Sequence, residues 1–249
     1  MKRKGNTVLI TGGSSGIGLA LAAIFLSEGN EVIICGRTKI KLDDAKQTFP
    51  ELHTIVADVS TVDGRESLKT AIITRFPKLN VLVNNAGIYS MTDMMDPQYI
   101  KVLEMELNVN LIAPIALTQQ LMPVLEMQSE ATIINVTTGY VFIPSAQASA
   151  YSASKVAFRA LTQSFRFTAR KTNIRVIEVV PPAVDTSMNK GKSVSVIDVD
   201  LFAKKVFEQV ITGKEEILIG LSKVAKLLSR IAPRYSFYKL NNDEAKQRV

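Results

Sequence analysis

The chain has 249 residues, of which 47% are hydrophobic and 21% charged, a composition that excludes a disordered or fibrous protein. Its apolar runs are much shorter than the about 20 residues of a membrane-spanning helix, and the basic start at Lys2–Lys4 leads into too short an apolar run for a signal peptide. One cysteine, Cys35, and one histidine, His53, exclude an internal disulfide and a Cys/His zinc site. We therefore predict one cytoplasmic domain over residues 1–249, without a metal site.

The positive charge lies at the two ends of the chain. Of the formal net charge of +7, residues 1–5 carry +3 and residues 221–249 carry +5, which leaves −1 for the rest. A near-neutral body argues against a nucleic-acid partner. The basic C-terminal extension, residues 221–249, places apolar and aromatic side chains between its charges. It is either a terminal helix whose apolar stripe packs on its own domain or a sister subunit, or a segment that lies on an anionic membrane surface.

Short β-branched runs alternate with longer amphipathic segments along the chain, which predicts an α/β fold. The predicted strands are Thr7–Thr11, Glu31–Cys35, His53–Ala57, Val81–Asn84, Thr132–Thr137, Arg175–Val180 and Glu216–Ile219. The predicted helices cover residues 16–28, 39–48, 61–75, 97–126, 152–171 and 199–212. We expect a single Rossmann-type, doubly wound domain, with a seven-stranded parallel sheet, helices on both faces and a ligand site beyond the carboxyl ends of the strands. The irregular segment Asp185–Asp198 is predicted to be a mobile loop over that site.

The first strand runs directly into a glycine-rich turn that opens an apolar helix. Glycine lets the backbone approach a pyrophosphate, whose charge is met by free N–H groups and by the positive end of the helix dipole. The turn therefore predicts a dinucleotide phosphate site formed by Gly12, Ser14, Ser15, Gly16, Ile17 and Gly18.

The same turn also matches Gly-x-Ser-x-Gly, the nucleophile elbow of serine hydrolases. That catalytic triad needs a histidine after the serine and an acid between them. The sole histidine, His53, comes at the start of the third strand, too early in the chain for that order. We therefore reject the hydrolase interpretation.

The ends of the second and third strands predict which dinucleotide is bound. An NAD-binding protein usually places Asp or Glu after the second strand, on the ribose 2′-hydroxyl. Here Gly36 offers no carboxylate and Arg37 offers a cation suited to a 2′-phosphate. We therefore expect NADP(H) to be preferred over NAD(H). After the third strand, Asp58 and Val59 are expected to hydrogen-bond and wall the adenine, while Asp58 also caps the next helix.

Tyr151 and Lys155 stand four residues apart, on one face of a predicted helix. A nearby cation favours the phenolate, so the pair can exchange a proton near neutral pH. Thr137 and Thr138 end the fifth strand at the same sheet edge, where a hydroxyl can donate to a carbonyl as negative charge develops. Asn110 is a polar break in an apolar helix, and it is either functional or a buried amide that bonds a neighbouring carbonyl.

Taken in order, these motifs resemble those of the short-chain dehydrogenases/reductases, over about residues 6–220. The shared pattern consists of the glycine turn, Asp58, Asn84-Asn85-Ala86-Gly87, Asn110, a hydroxyl thirteen residues before the tyrosine, and Tyr151-x-x-x-Lys155. The end of the fifth strand, together with residues 181–186, is most similar to the DltE-like bacterial subgroup.

The resemblance implies a catalytic tetrad of Asn110, Thr138, Tyr151 and Lys155. Tyr151 would be the general acid/base, and Lys155 would hold the nicotinamide ribose and lower the pKa of the tyrosine. Thr138 would polarise the carbonyl, and Asn110 would hold a water molecule in a proton relay. The resemblance further implies that the cofactor cleft is lined by Asn85, Ala86, Gly87, Pro181, Val184 and Thr186.

Two positions depart from the family pattern. Thr138 stands where serine is usual, which keeps the hydroxyl donor and adds a methyl group. Pro182 stands where glycine is usual, which removes an N–H and stiffens the turn.

The function expected from these motifs is an NADP(H)-dependent oxidoreductase that interconverts a carbonyl and an alcohol on a small molecule. The alternative is an NADP-binding regulatory protein without turnover, associated with a membrane surface through its basic tail. The chain after the last strand is too short for the substrate domain of a sugar-nucleotide epimerase. Because the helix after Tyr151 carries more apolar residues than one buried stripe needs, and the family packs this helix across a two-fold axis, a homodimer or homotetramer is expected.

Overall fold

The computed structural model describes residues 1–186 and 196–246, and these form a parallel sheet covered by helices on both faces. The strands lie in the order β3-β2-β1-β4-β5-β6-β7, so the chain reverses its direction of winding between β1 and β4. They are β1 (Thr7–Thr11), β2 (Glu31–Gly36), β3 (His53–Val56), β4 (Leu79–Asn84), β5 (Ala131–Val136), β6 (Ile174–Val180) and β7 (Glu216–Leu218). The predicted doubly wound fold and its seven strands are confirmed, with boundaries that differ by at most two residues.

The helices of the described residues connect the strands and then continue beyond the sheet. They are α1 (Gly16–Ser27), α2 (Lys39–Thr48), α3 (Val62–Arg75), α4 (Tyr99–Leu107), α5 (Ala113–Glu126), α6 (Ser149–Ala169), α7 (Val199–Ile211), α8 (Leu221–Ile231) and α9 (Pro233–Lys246). None of them is long and apolar enough to cross a membrane. From the predicted loop Asp185–Asp198, residues 187–195, with Met188, Asn189, Gly191, Lys192 and Ser193, lie outside the described part of the chain.

Two apolar layers hold the sheet between the helices. Because side chains alternate along a strand, Val8 and Ile10 of β1 pack with α1, α2 and α7, whereas Leu9 packs with α3 and α5 on the other face. Both faces of the central strands are therefore buried, which explains why their sequences are continuously apolar rather than alternating.

The predicted helix over residues 97–126 is wrong as a single element. It is interrupted by a π-helical turn, Asn108–Ile112, between α4 and α5. Pro114, in the first turn of α5, has no N–H to offer the carbonyl of Asn110 four residues earlier, and its ring crowds that carbonyl. The wider turn relieves this conflict, and π-helical turns of this kind are frequent at functional sites.

The C-terminal extension forms two helices rather than one. Ala232, which precedes Pro233, adopts φ −142° and ψ 58°, because proline disfavours the helical conformation in the residue before it. The apolar stripe of α8 is exposed: Leu227 and Ile231 retain 58% and 68% of their accessible surface. The interpretation that this stripe packs on its own domain is therefore wrong.

Candidate active site

A cavity of about 710 Å³ opens at the carboxyl ends of the strands, where the sequence places the ligand site. The cavity brings together nearly all the predicted cofactor residues. They are Gly12, Ser14, Ser15, Gly16, Ile17, Arg37, Asp58, Val59, Asn85, Ala86, Gly87, Tyr151, Lys155, Pro181, Val184 and Thr186. Thr138 lines it as well, whereas Gly18 and Asn110 do not.

The glycine turn forms one wall of this cavity. Gly12 has φ +62°, a conformation that L side chains rarely adopt, and a Cβ there would lie 3.0 Å from the Cα of Ala86. A Cβ on Gly18 would lie 2.4 Å from the carbonyl oxygen of Gly12. Gly18 therefore allows the turn to pack closely and does not line the cavity. The first turn of α1 thus presents its backbone to the cavity at the positive end of the helix dipole.

Two cations stand at the far end of the same wall. Arg37 and Lys41 both line the cavity, and Lys41 was not singled out from the sequence, although it lies one helical turn after Arg37. Asp58 accepts hydrogen bonds from the Ser60 amide (2.9 Å) and hydroxyl (2.6 Å). These bonds, helped by the charge of Arg37, hold the pKa of Asp58 below its ordinary value. Asp58 therefore lines the cavity, as predicted, and shapes the turn before α3. The prediction that it caps this helix is wrong, because the N-cap is Thr61, whose hydroxyl accepts from the amide of Gly64 (3.0 Å).

Asparagines tie the carboxyl ends of β1, β4 and β5 together. Asn84 donates to the Asn135 side-chain oxygen (2.8 Å), and Asn85 donates to the Thr11 carbonyl (3.0 Å). The Thr11 hydroxyl in turn accepts from the backbone of Asn85 and Ala86. This network fixes the edge from which the cavity is built.

Tyr151 and Lys155 project from α6 and are both buried, at 8% and 4% exposure. Burial raises the pKa of the Tyr151 phenol, and a hydrogen bond with the Thr138 hydroxyl only partly opposes the rise. Burial also lowers the pKa of Lys155 to about 8, and its ammonium donates to the carbonyl of Val136 (3.0 Å). The predicted lowering of the tyrosine pKa by Lys155 is not what this structure gives, because burial dominates and Lys155 is engaged with Val136.

A buried carboxyl that the sequence did not single out stands close to the phenol. Glu106 of α4 has no exposed surface, and within the described residues neither of its oxygens meets a partner at hydrogen-bond geometry. Burial raises its pKa, which the nearby amide and hydroxyl of Ser90 offset only in part. The charge of Glu106, when present, further opposes ionisation of Tyr151, so the surroundings favour a neutral phenol.

The two adjacent threonines both line the cavity, but their hydroxyls have different partners. The Thr137 hydroxyl donates to the buried carboxylate of Glu178 (2.8 Å). Thr138 faces the cavity beside Tyr151, and its hydroxyl accepts weakly from the amide of Tyr140 (3.5 Å). The geometry therefore favours Thr138 as the hydroxyl that meets a substrate.

Asn110 is held behind the cavity wall. Its side-chain oxygen accepts from the Ile88 amide (2.9 Å), and its NH₂ group donates to the Ile88 carbonyl (3.0 Å) and the Ser154 hydroxyl (3.1 Å). The amide is thus satisfied by neighbouring groups, and its role in a proton relay stays a prediction. A Cβ on Gly87 would approach both this oxygen (3.0 Å) and the Lys155 ammonium (3.5 Å), which accounts for glycine there.

The end of the cavity around Tyr151, which we call the substrate end, is aromatic and is lined in part by the C-terminal tail. The rings of Tyr89 and Tyr140 pack edge-on against Tyr151, with centroids 5.1 and 6.3 Å away. Glu244 of α9 accepts hydrogen bonds from the hydroxyls of Tyr140 (2.8 Å) and Ser145 (2.5 Å). The tail residues that line the cavity are Leu221, Ser222, Ala225, Leu240, Asp243 and Glu244. No sequence motif signals this contact, because its partners are about a hundred positions apart.

The structure also bears on the hydrolase alternative. Ser14 lines the cavity at the carboxyl end of β1, whereas His53 begins β3 and so stands at the opposite edge of the sheet. The two residues cannot form a catalytic pair.

A family model for short chain dehydrogenases matches residues 6–195, and the chain belongs to this family of oxidoreductases. It is 41% identical over 226 residues to the uncharacterized oxidoreductase DltE of Bacillus subtilis, which spans 87% of this chain and 89% of that protein. The predicted relation to the DltE-like subgroup is thereby confirmed.

Solved structures share the fold over nearly the whole chain. A short chain dehydrogenase of Burkholderia cenocepacia in complex with NADP superposes with a TM-score of 0.86 at 23% identity, over 96% of this chain and 99% of that one. A short-chain dehydrogenase of Streptomyces avermitilis gives a TM-score of 0.83 at 22% identity, over 96% of both chains. At these identities the likeness establishes the fold alone.

Proposed function

We propose that the protein is an NADP(H)-dependent oxidoreductase that interconverts a carbonyl and an alcohol on a small molecule. The observation that carries the proposal is the shared cavity: Tyr151, Lys155 and Thr138 line the same space as the glycine turn and Arg37. A nucleotide wall and a proton-transfer group thus face one another across a single cleft.

The cavity fits a dinucleotide phosphate on three counts. The first turn of α1 offers N–H groups and a positive dipole end to a pyrophosphate. A Cβ on Gly16 would stand 3.2 Å from the Thr186 methyl group, so the glycine keeps this cradle open. Arg37 and Lys41 suit a 2′-phosphate, which is the basis for proposing NADP(H) over NAD(H). The Burkholderia relative, which binds NADP, is consistent with that preference.

When bound, the nicotinamide supplies or accepts a hydride at the substrate carbon. In the reductive direction, the Tyr151 hydroxyl gives its proton to the carbonyl oxygen, and its raised pKa keeps the neutral donor form populated. Thr138 donates to the same oxygen as negative charge develops there. Lys155 is proposed to hold the nicotinamide ribose, and its ammonium is available up to a pH of about 8. The role of Asn110 in a proton relay stays a prediction.

The decisive experiment is thermal unfolding with NADPH and with NADH, followed by a panel of small carbonyl substrates with NADPH oxidation as the readout. A ligand that binds only the folded state raises its stability, so NADPH is expected to stabilise the protein more than NADH does. Turnover of at least one carbonyl compound, lost in Tyr151→Phe, would support the enzyme. Stabilisation by NADPH without turnover of any substrate would favour the regulatory alternative, and stabilisation by neither dinucleotide would contradict both.

We further propose a cytoplasmic homodimer or homotetramer assembled through α6. This helix leaves Val156, Leu161 and Phe167 at 39%, 48% and 71% exposure, more apolar surface than a solvated helix face usually presents. Sedimentation velocity of the parent and of Leu161→Ser with Phe167→Ser tests the proposal. A parent that sediments as a monomer would contradict it.

A further inference from the structure

The outward face of the C-terminal tail is apolar along its centre. On α8, Val224, Leu227 and Ile231 recur at the spacing of one helix face and keep 48%, 58% and 68% of their surface exposed. On α9, Tyr235 and Tyr238 keep 61% and 65%. We call these five residues, with the bases that accompany them, the tail surface.

The tail surface is exposed, although the other sides of α8 and α9 form ion pairs and hydrogen bonds with the rest of the domain. Lys226 forms an ion pair with Glu216, whose carboxylate also accepts from Arg159 (2.6 Å) of α6. On α9, Asn241 donates to the carbonyl of Pro144 (3.2 Å), and Glu244 accepts from the hydroxyls of Tyr140 and Ser145. The opposite sides of both helices contact the rest of the domain, and the apolar side chains therefore face outward.

The charges of the tail are sorted between these two sides. The described acidic side chains of α8 and α9, Asp243 and Glu244, both line the cavity. The exposed bases that accompany the apolar residues are Lys223, Arg230, Arg234 and Lys239, and the Lys239 ammonium lies over the Tyr235 ring at 5.9 Å. The outward side is thus cationic and apolar, without an acidic residue of its own in the described part of these helices.

We propose that the tail surface docks on an anionic phospholipid bilayer. Basic side chains beside an apolar stripe match lipid phosphates above an acyl layer, and tyrosine, with an apolar body and a polar tip, suits the interface between them. A second copy of the chain fits less well. A two-fold contact through this face would bring Lys223, Arg230 and Arg234 close to the same bases of the partner, and like charges at an interface are unfavourable.

Docking in this way has a consequence for the cavity. Leu240 and Glu244 line the cavity from the same helix that presents Tyr235 and Tyr238 outward. The tail surface is therefore separated from the cavity by one helix, and its docking would bring the substrate end of the cavity to the lipid surface. The proposal does not depend on which reaction the cavity carries out.

The test is flotation of the full-length protein with vesicles of phosphatidylcholine alone and with vesicles that contain equal parts of phosphatidylcholine and phosphatidylglycerol. We expect binding to the anionic vesicles only, and weaker binding as salt is raised. The triple variant Lys223→Gln, Arg230→Gln, Arg234→Gln and the double variant Leu227→Ser, Ile231→Ser should each weaken it at least about tenfold. Because all five side chains are exposed, both variants should keep the unfolding midpoint of the parent.

The control variants remove an equal number of exposed basic or exposed apolar side chains outside the tail. Lys78→Gln with Lys171→Gln and Lys205→Gln removes three exposed charges outside the tail, and Met94→Ser with Met95→Ser removes exposed apolar side chains of 76% and 90% exposure. Absence of binding to the anionic vesicles, or an equal loss in the control variants, would overturn the proposal. So would sedimentation velocity in which Leu227→Ser, Ile231→Ser splits an oligomer, because the tail surface would then be a subunit contact.

Discussion

The two ends of the cavity are built in different ways. The nucleotide end is formed mainly by residues 12–59, where three consecutive strands deliver glycines, Arg37 and Asp58 to one sheet edge. The substrate end is assembled from distant parts of the chain, with Tyr140 and Glu244 in contact across 104 positions. The first end relies on backbone geometry near the turn, and the second on side chains whose partners depend on the tertiary fold. Substitutions at the nucleotide end should therefore have independent effects, whereas the effects of substitutions at the substrate end should depend on one another.

The largest effect is expected at the substrate end, from Tyr151→Phe. The substitution removes the proton donor but keeps the ring that packs against Tyr89 and Tyr140. Turnover should fall by about 10² to 10⁴, the usual contribution of a positioned general acid, with little change in NADPH affinity. Steady-state kinetics and titration calorimetry measure the two quantities. Full activity in this variant would contradict the proposed role of Tyr151 as the proton donor.

A pH effect on stability should follow from Lys155, which stands where the two ends meet. Its pKa falls from 10.5 to about 8 on folding, so below pH 8 the folded state carries the whole cost of burying an ammonium. Between these two values the folded protein has lost a proton that the unfolded chain keeps, and the free energy of unfolding therefore rises with pH. The rise attributable to Lys155 is at most about 3 kcal/mol, and it should be absent from Lys155→Met. Urea unfolding of both proteins without dinucleotide, from about pH 7 to about pH 11, measures this rise. If the free energy of unfolding had the same pH dependence in the parent and in Lys155→Met, Lys155 would not be its source.

Substitutions of Thr137 and Thr138 show which of these two adjacent hydroxyls acts at the substrate end. Thr138→Val removes the hydroxyl that faces the cavity and should lower kcat/KM by about 10² or more, while Thr138→Ser should keep most activity. Thr137→Val should leave catalysis nearly unchanged and reduce stability, because Oε1 of the buried Glu178 loses its donor, while Oε2 keeps its bond from Arg159 (2.6 Å). If the two valine variants exchanged these effects on kcat/KM, Thr137 would be the catalytic hydroxyl.

The contrast between the two ends also explains what the sequence could predict. Gly12, Arg37 and Asp58 follow predicted strands directly, so their meeting at one sheet edge follows from the parallel order alone. Nothing in the spacing of Glu106 or Glu244 predicts that either lies near Tyr151, because their positions depend on how α4 and α9 pack. The π-helical turn was missed for a different reason: Pro114 is tolerated in the first turn of a helix, and its conflict with Asn110 appears only when α4 and α5 are joined end to end.

At the nucleotide end we expect Arg37→Ala to have a smaller effect, which is confined to the affinity for NADPH relative to NADH. The parent should bind NADPH at least about tenfold more tightly than NADH, and the variant should lose most of this difference, since a charge-assisted hydrogen bond contributes about 1.5 to 3 kcal/mol. Lys39→Ala is the matched control, because Lys39 pairs with Asp43 (2.6 Å) and does not line the cavity. Equal affinities of the parent for the two dinucleotides would contradict the role given to Arg37.

The smallest effect, and the one that best separates the two ends, concerns the contact between α9 and the cavity wall. Glu244→Gln replaces one of the two acceptor oxygens by an NH₂ group, so either Tyr140 or Ser145 loses the acceptor that it has in the parent. We expect KM for the carbonyl substrate to rise by about threefold to tenfold with kcat nearly unchanged, and amide exchange in α9 to become faster.

Tyr140→Phe removes the matching donor and keeps the ring beside Tyr151, and Asn242→Ala, on the exposed side of α9, is the control. Because the two groups act through one hydrogen bond, the effects of Glu244→Gln and Tyr140→Phe on KM should not add in the double variant. Arg37→Ala combined with Glu244→Gln should by contrast be additive, since those residues stand at opposite ends of the cavity. Additivity in the first pair would mean that Glu244 does not act through Tyr140, and the tail would then be a passive cover rather than part of the substrate site.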